Sequence, residues 1–483
     1  MKLHSVATTT AILLSTVTGL MPLPQALAQP GWGPAQMREN PRNIDFGNDA
    51  PQTNFAPARN FAPANNFAPA NNFAPANNFA PANNFAPANN FAPANNFAPA
   101  NNFAPANNFA PANNFAAASP AQKPSNSGDM PQRLARIDAM IQERMQSLNV
   151  PGYTLAVIKS GTVVFQKCYG YADLERQIPV TNDTVFGLAS VTKAFTSHAL
   201  LYLADKGLVG LDDTLDKYLE GLTRPYQKLT VRQLASMTAG VSDKVTPEVD
   251  WKDQLDILVH TPLVSEPGSQ YLYSNFSTRL VGSVLVKASG KRYLELLNEI
   301  IFAPLQMNST ATTVLLQNTG RVAQGYTDNM GKGRLRPVEY KSPAVSFAAG
   351  MLASTSNDVV RYTLGLLSRR MLSEQAYKTL WYDRPPLSTG KPNNWAFGWA
   401  AGPNKNLGGQ YQVVKNGGTP GVASIIIILP ESNSAVVALC NLRKPPIYGI
   451  AKTAAIMAFG DTNGPVEADQ EENMPPPDGD DNL

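Results

Sequence analysis

The sequence predicts an α/β (α+β) domain over residues 129–461. Its expected core is one antiparallel sheet drawn from both ends of that span, flanked by helices, with a mostly helical middle region. Three observations carry this expectation. A hairpin pattern stands early, with Tyr153–Lys159 and Thr162–Phe165 on either side of Ser160-Gly161. Strand-like runs return late, at Val413-Val414, Ala423–Leu429 and Ala435–Cys440, separated by Gly and Pro signals. Helical and loop-rich sequence lies between the two groups.

The elements follow in chain order. Met1-Lys2-Leu3-His4, an apolar run through Leu20 and then Ala26-Leu27-Ala28 make residues 1–28 an expected secretory signal peptide, cleaved after Ala28. Residues 29–128 read as a disordered linker. From Asn54 to Phe115 it repeats Asn-Phe-Ala-Pro-Ala-Asn, and a proline every sixth residue bars a continuous helix or central strand. One Phe per repeat buries too little area to offset chain entropy. Such a segment would span about 45 Å as a flexible chain and about 200 Å drawn out as polyproline II. It is expected to act as a spacer, or through its Phe side chains as an envelope contact. Leu134, Ile137, Met140, Ile141, Met145 and Leu148 then mark one face of an amphipathic helix. Ile425-Ile426-Ile427-Ile428 is too short to span a membrane and fits a strand buried on both faces. Tyr448–Phe459 reads as a helix, and residues 462–483 as an acidic disordered tail.

Composition excludes several functions. A formal charge of +3 over 483 residues argues against a nucleic-acid or polyanion partner. No segment after the signal reaches the ~18 apolar residues of a membrane span. Of three histidines, His4 leaves with the signal, and His198 and His260 have no partners at metal-ligand spacing. Neither a metal nor a cofactor is expected, and a Ser-His-Asp triad is hard to build. Cys168 and Cys440 make no disulfide framework; one bridge and two buried strand thiols are both open.

The chemistry is concentrated in three segments. Ser190-Val191-Thr192-Lys193 opens a helical pattern, so positions 190 and 193 share a face one turn apart. A serine nucleophile needs an adjacent base, and a lysine serves if desolvation or a second cation lowers its pKa. Tyr273-Ser274-Asn275 follows Pro267-Gly268 on an irregular stretch, where a phenol near ammonium groups relays a proton and an amide holds a carbonyl or an amine. Lys415-Asn416-Gly417-Gly418 starts the late strand group; its lysine adds positive potential for an anionic substrate group, and its glycines admit substrate backbone.

Taken in the order Ser-x-x-Lys, Tyr-x-Asn, Lys-x-Gly, the segments resemble the serine β-lactamase and penicillin-binding-protein superfamily. Tyr-Ser-Asn looks like its class C β-lactamase-related branch, which includes DD-peptidases, β-lactamases and esterases. Further landmarks are Lys167–Asp173, Gly207–Asp213, Leu234–Gly240, Pro304–Met307, Ala349–Thr355 and Cys440-Asn441, so the resemblance covers about residues 131–460. It implies a β-lactamase/transpeptidase-like fold. It also implies Ser190 as acylated nucleophile, Lys193 as its proton acceptor and Tyr273 as proton relay. Asn275, Lys415, Asn416 and Gly417 would bind substrate, and the backbone N–H groups of Ser190 and Gly418 would form the oxyanion hole. Three departures stand out: Asn416 in place of the usual Thr, Met237 in place of a frequent His, and Cys168 in place of a frequent Gly. The expected function is a periplasmic or secreted serine hydrolase. It would act on D-alanyl peptides of peptidoglycan or, as a class C-like β-lactamase, on a small molecule. The alternatives are a carboxylesterase of the same family and a non-catalytic envelope-binding protein.

Overall fold

The computed structural model describes residues 130–243, 259–328, 334–338, 346–443 and 446–460, together with Leu255 and Ile257. The expected signal peptide, repeat linker and acidic tail lie outside the described residues.

Helix α1 (Met130–Ser147) leads into the hairpin β1 (Gly152–Lys159) and β2 (Thr162–Asp173), then the short β3 (Ile178–Pro179) and β4 (Val185–Gly187). Helix α2 (Thr192–Asp205) opens the helical body, which continues with α3 (Arg224–Gln227), α4 (Val231–Ala235), α5 (Asn275–Ser289) and α6 (Tyr293–Leu297). Next come β5 (Ala311–Thr312), α7 (Thr313–Gln317), β6 (Gly325–Thr327), β7 (Arg336–Val338), α8 (Phe347–Gly350) and β8 (Leu352–Thr355). Helices α9 (Ser356–Leu367) and α10 (Glu374–Trp381) precede the late strands β9 (Ala400–Pro403), β10 (Tyr411–Thr419), β11 (Val422–Leu429) and β12 (Ser434–Cys440). Helix α11 (Pro446–Phe459) ends the described chain.

The main sheet has the order β3-β2-β1-β12-β11-β10-β9. All of its pairings are antiparallel, and β1 meets β12 in the register Tyr153↔Cys440. The sheet is thus built from both ends of the domain, as the hydrophobic runs predict. Strand β11 is buried along its whole length, because each face packs against a different core. Ile426 and Ile428 join the larger core with the helical body, while Ile425 and Ile427 join the core under α1 and α11. The period-two alternation of a strand decides which side chain goes where.

The two cysteines do not pair. Cys168 lies opposite Thr154 and Cys440 opposite Tyr153, so strand β1 runs between them. Burial pushes the Cys168 thiol up to about 11 and the Cys440 thiol up to about 12. Cys168 donates instead to Asn182 Oδ1 at 3.0 Å.

Helix α2 passes through the larger core, with Thr192 to Leu201 all buried. A helix enclosed on every side must satisfy its polar groups internally. Thr196 does so through the Ala348 carbonyl at 2.6 Å and the Tyr293 hydroxyl at 2.7 Å. His198 does not: it is fully buried 6.0 Å from the Tyr362 ring, and neither ring nitrogen meets a partner. Burial alone holds its imidazole down at about 3, against an ordinary 6.5. The unfolded chain therefore binds a proton at this residue between those two values while the folded chain does not. This contribution to stability is complete above pH 6.5 and is lost as the pH falls toward 3. His198→Phe keeps the ring and removes both nitrogens. In urea denaturation its stability relative to wild type is expected to rise by about 1.4 kcal/mol per pH unit on acidification through that window. Parallel pH dependence in the two proteins would show that the buried imidazole takes up a proton.

Candidate active site

Ser190 lies in a 3-10 turn, Ala189–Val191, that runs into α2 at Thr192. The sequence expectation of a regular helix opening at Ser190 is corrected here: the regular helix begins two residues later, and only Lys193 belongs to it. The turn is strained and pinned. Ala189 has φ of +43°, a left-handed value that a Cβ disfavours. Next to it, Leu188 N–H donates to the Leu352 carbonyl of β8, while the Leu188 carbonyl accepts from Ser424 Oγ of β11.

Strand β10 closes over this turn. A Cβ on Gly417 would come within 2.4 Å of the Leu188 carbonyl oxygen and 2.7 Å of the Ser190 and Val191 nitrogens, so glycine alone admits the strand at this distance. Strand β9 covers β10 only from Tyr411 to Val414, so the stretch carrying Lys415, Gly417 and Gly418 extends beyond that pairing beside Ser190. Alternation puts Lys415 and Gly417 on the face toward the helical body. Asn416 is half-buried on the other face, with Val414 and Gly418, where a Cβ on Gly418 would meet Tyr448 of α11. The structure thus brings Lys415 and Gly417 to the serine and turns the Asn416 side chain toward the opposite face.

The remaining expected residues converge on one point. Lys193 is fully buried, and its Nζ donates to Ser190 Oγ at 3.0 Å, Asn275 Oδ1 at 2.7 Å and the Ala349 carbonyl at 3.0 Å. Tyr273 hydroxyl donates to Ser190 Oγ at 3.0 Å. Lys193 Nζ lies 4.8 Å and Lys415 Nζ 5.3 Å from the Tyr273 ring centre. Tyr273 and Asn275 are presented differently. Ser274 is extended and caps α5 by accepting from Ser277 N–H, so Tyr273 stands before the helix and Asn275 in its first turn. Met237, the departure from the family's histidine, anchors this segment: its carbonyl accepts from Leu272 N–H and its sulfur from Ser274 N–H.

Three contributors have no role in the sequence reading, although Ala349 opens one of its landmark runs. Asp243 accepts from the Asn275 side-chain amide and from the Asn275 and Phe276 backbone. Trp395, 3% exposed, meets the Tyr273 ring edge-on at 5.7 Å and lies 5.1 Å from Lys415 Nζ. The Ala349 carbonyl acts as backbone. Asp243 lies three residues beyond the landmark run Leu234–Gly240, the one sequence signal near it; Trp395 has none. His198 is buried within α2 with neither ring nitrogen hydrogen-bonded, and His260 is exposed. Among the described residues no cluster of His, Cys, Asp and Glu forms a metal cage.

A serine reached by a buried lysine and a tyrosine, in a turn beside a sheet built from both ends of the domain, defines the serine β-lactamase and penicillin-binding-protein superfamily. The chain belongs to the beta-lactamase family, whose model matches residues 137–459. The Flp protein of Staphylococcus aureus strain NCTC 8325 is 26% identical over 332 residues, 64% of this chain and 63% of its own. This chain therefore spans less than two thirds of the Flp length. Penicillin-binding protein 4* of Bacillus subtilis is 26% identical over 330 residues, 64% of this chain and 72% of its own. Among solved structures, an octameric penicillin-binding protein homologue from Pyrococcus abyssi aligns with a TM-score of 0.59 and 26% identity, covering 67% of this chain and 77% of that one. A β-lactamase/D-alanine carboxypeptidase from Pseudomonas syringae, 21% identical, shares the fold with a TM-score of 0.59 over 68% of this chain and 98% of its own. The fold is of the β-lactamase/transpeptidase type, and the family is one of serine hydrolases.

The contact at Gly417 yields a test. Gly417→Ala forces β10 away from the Ser190 turn, and displacements near 1 Å at reacting groups cost about a hundredfold in rate. Acylation by a fluorophosphonate is expected to fall by about that factor, in protein whose circular dichroism stays that of wild type. Unchanged acylation would show that the strand does not set the serine's position.

Proposed function

We propose that the protein is an exported serine hydrolase acting through a Ser190 acyl-enzyme on D-alanyl peptides of peptidoglycan or on β-lactams. One observation carries this reading: Lys193 Nζ and Tyr273 hydroxyl both lie 3.0 Å from Ser190 Oγ, with the buried Lys415 across the tyrosine ring. Export rests on the expected signal segment 1–28, and periplasmic or secreted placement follows from it.

The chemistry runs from these contacts. Two ammonium groups buried beside one phenol are costly, and loss of a proton from one relieves that cost. Asn275 Oδ1 and the Ala349 carbonyl only accept, so they engage two Lys193 hydrogens, and the lone pair of a neutral amine is left facing Ser190. Ser190 gives its proton to that lone pair as Oγ attacks the substrate carbonyl carbon. The developing oxyanion is received by the Ser190 and Gly418 N–H groups. The C–N bond then breaks, and Tyr273 passes the proton to the departing amine. Water reverses the sequence, giving its proton back through the same groups and releasing the acyl group. Lys415 supplies the counter-charge for a substrate carboxylate, which favours a D-alanyl terminus or a β-lactam over a neutral ester. Trp395 walls off the far side of Lys415, leaving its charge less screened.

A fluorescent penicillin or a fluorophosphonate should label the wild-type protein covalently, and Ser190→Ala should abolish the adduct; labelling that survives would remove Ser190 from the role. Loss of a hydrogen bond to a charged group costs about 1.5–3 kcal/mol. Lys415→Ala is therefore expected to lower kcat/KM on a D-alanyl-D-alanine peptide by about 10–100-fold more than on a neutral p-nitrophenyl ester. Equal losses on both would point to the carboxylesterase reading.

A further inference from the structure

Asp243 is used by nothing in the scheme above, yet both of its oxygens are committed to the site. Oδ1 accepts from Asn275 N–H at 2.8 Å and Phe276 N–H at 3.2 Å, the first two free donors of α5. Oδ2 accepts from Asn275 Nδ2 at 2.8 Å. The third donor, Ser277 N–H, is already capped by Ser274 Oγ at 3.1 Å. A helix cap needs only the Oδ1 contacts, so the Oδ2 contact serves something else. A side-chain amide has one accepting and one donating end, and a carboxylate only accepts. Once Nδ2 of Asn275 is held by Asp243, its Oδ1 has to face Lys193, 2.7 Å away.

We infer that Asp243 is a positioning residue for the reaction: by locking the Asn275 amide it keeps an acceptor against Lys193, and so directs the amine's lone pair at Ser190. This rests on the acyl-enzyme reading above. Of the Lys193 Nζ contacts named above, Asn275 Oδ1 and the Ala349 carbonyl accept only, whereas the Ser190 hydroxyl is also able to donate. If the Asn275 amide turned over, its Nδ2 would point at Lys193 and compete with Ser190 for the lone pair. The base would then be occupied by an amide that has no chemistry to do. Asp243 lies 53 residues from Ser190 by number and touches neither the serine nor the lysine, so its effect passes through a single amide.

The test reverses the polarity of that contact. Asp243→Asn keeps an acceptor for the two backbone donors but sets an NH2 group against the NH2 of Asn275, which turns the Asn275 amide over. The acylation rate constant with a fluorophosphonate or an activated ester is expected to fall by about a hundredfold with the substrate KM changed by less than about threefold. Combining Asp243→Asn with Asn275→Asp restores a donor facing an acceptor and again gives Lys193 an acceptor. This double variant is expected to acylate about tenfold or more faster than either single variant. The acid limb of its rate profile should lie at higher pH than in wild type, because a carboxylate beside Lys193 holds its proton. A residue that merely capped the helix would not produce rescue. Wild-type acylation and pH profile in Asp243→Asn, or a double variant no faster than the single variants, would overturn the inference alone. A wild-type protein that neither acylates nor turns over would overturn the hydrolase reading, and this inference with it.

Discussion

Lys193 is the group on which the site depends, because the acceptors of its ammonium come from three separate segments of the chain, two of them far away in number. Ser190 is one turn away, Asn275 begins α5, and Ala349 belongs to α8. A fully buried amine without those partners would be intolerable in an apolar core. The helical body must therefore be in place before the lysine is. Thr196 repeats the arrangement one turn further along α2, tying the same helix to the Ala348 carbonyl and to Tyr293. Helices α2, α5 and α8 are held together by polar contacts inside a largely apolar core.

The sheet makes the complementary contribution. Its late strands bring Lys415 and Gly417 to the nucleophile turn, and the approach is so close that no side chain fits between. A strained Ala189 and a pinned Leu188 indicate that the turn is held by its surroundings rather than by its own preference. The same crowding that confines the serine also keeps water from the two ammonium groups, and so raises the strength of every interaction among them.

Much of this was legible in the sequence, for identifiable reasons. Ser190, Lys193, Tyr273, Asn275 and Lys415 are spaced within short motifs, and each motif maps onto one element end. The amphipathic face of α1 followed from hydrophobic periodicity, the first hairpin from two apolar runs around Ser160-Gly161, and the wholly buried β11 from a short unbroken apolar run. The start of α2 was misplaced because the 3-10 turn and the α-helix share one apolar pattern, and only the tertiary pull on Leu188 separates them. Asp243, Trp395 and the Ala349 carbonyl act through contacts with residues far away in the chain, and a carbonyl has no side-chain signature. The face of Asn416 depends on the phase of β10, which a run of polar and glycine residues does not display. The separation of Cys168 from Cys440 by β1 required the strand order, which spacing does not contain.

The order β3-β2-β1-β12-β11-β10-β9 has a consequence for how the molecule comes to life. The nucleophile is translated more than two hundred residues ahead of the strand that closes over it, with Ser190 before β8 and long before β10. Until β10 to β12 emerge and join β1, a growing polypeptide carries a serine with no second cation and no glycine-lined wall. Ribosomal synthesis thus arms this centre last, through the most non-local pairing in the domain.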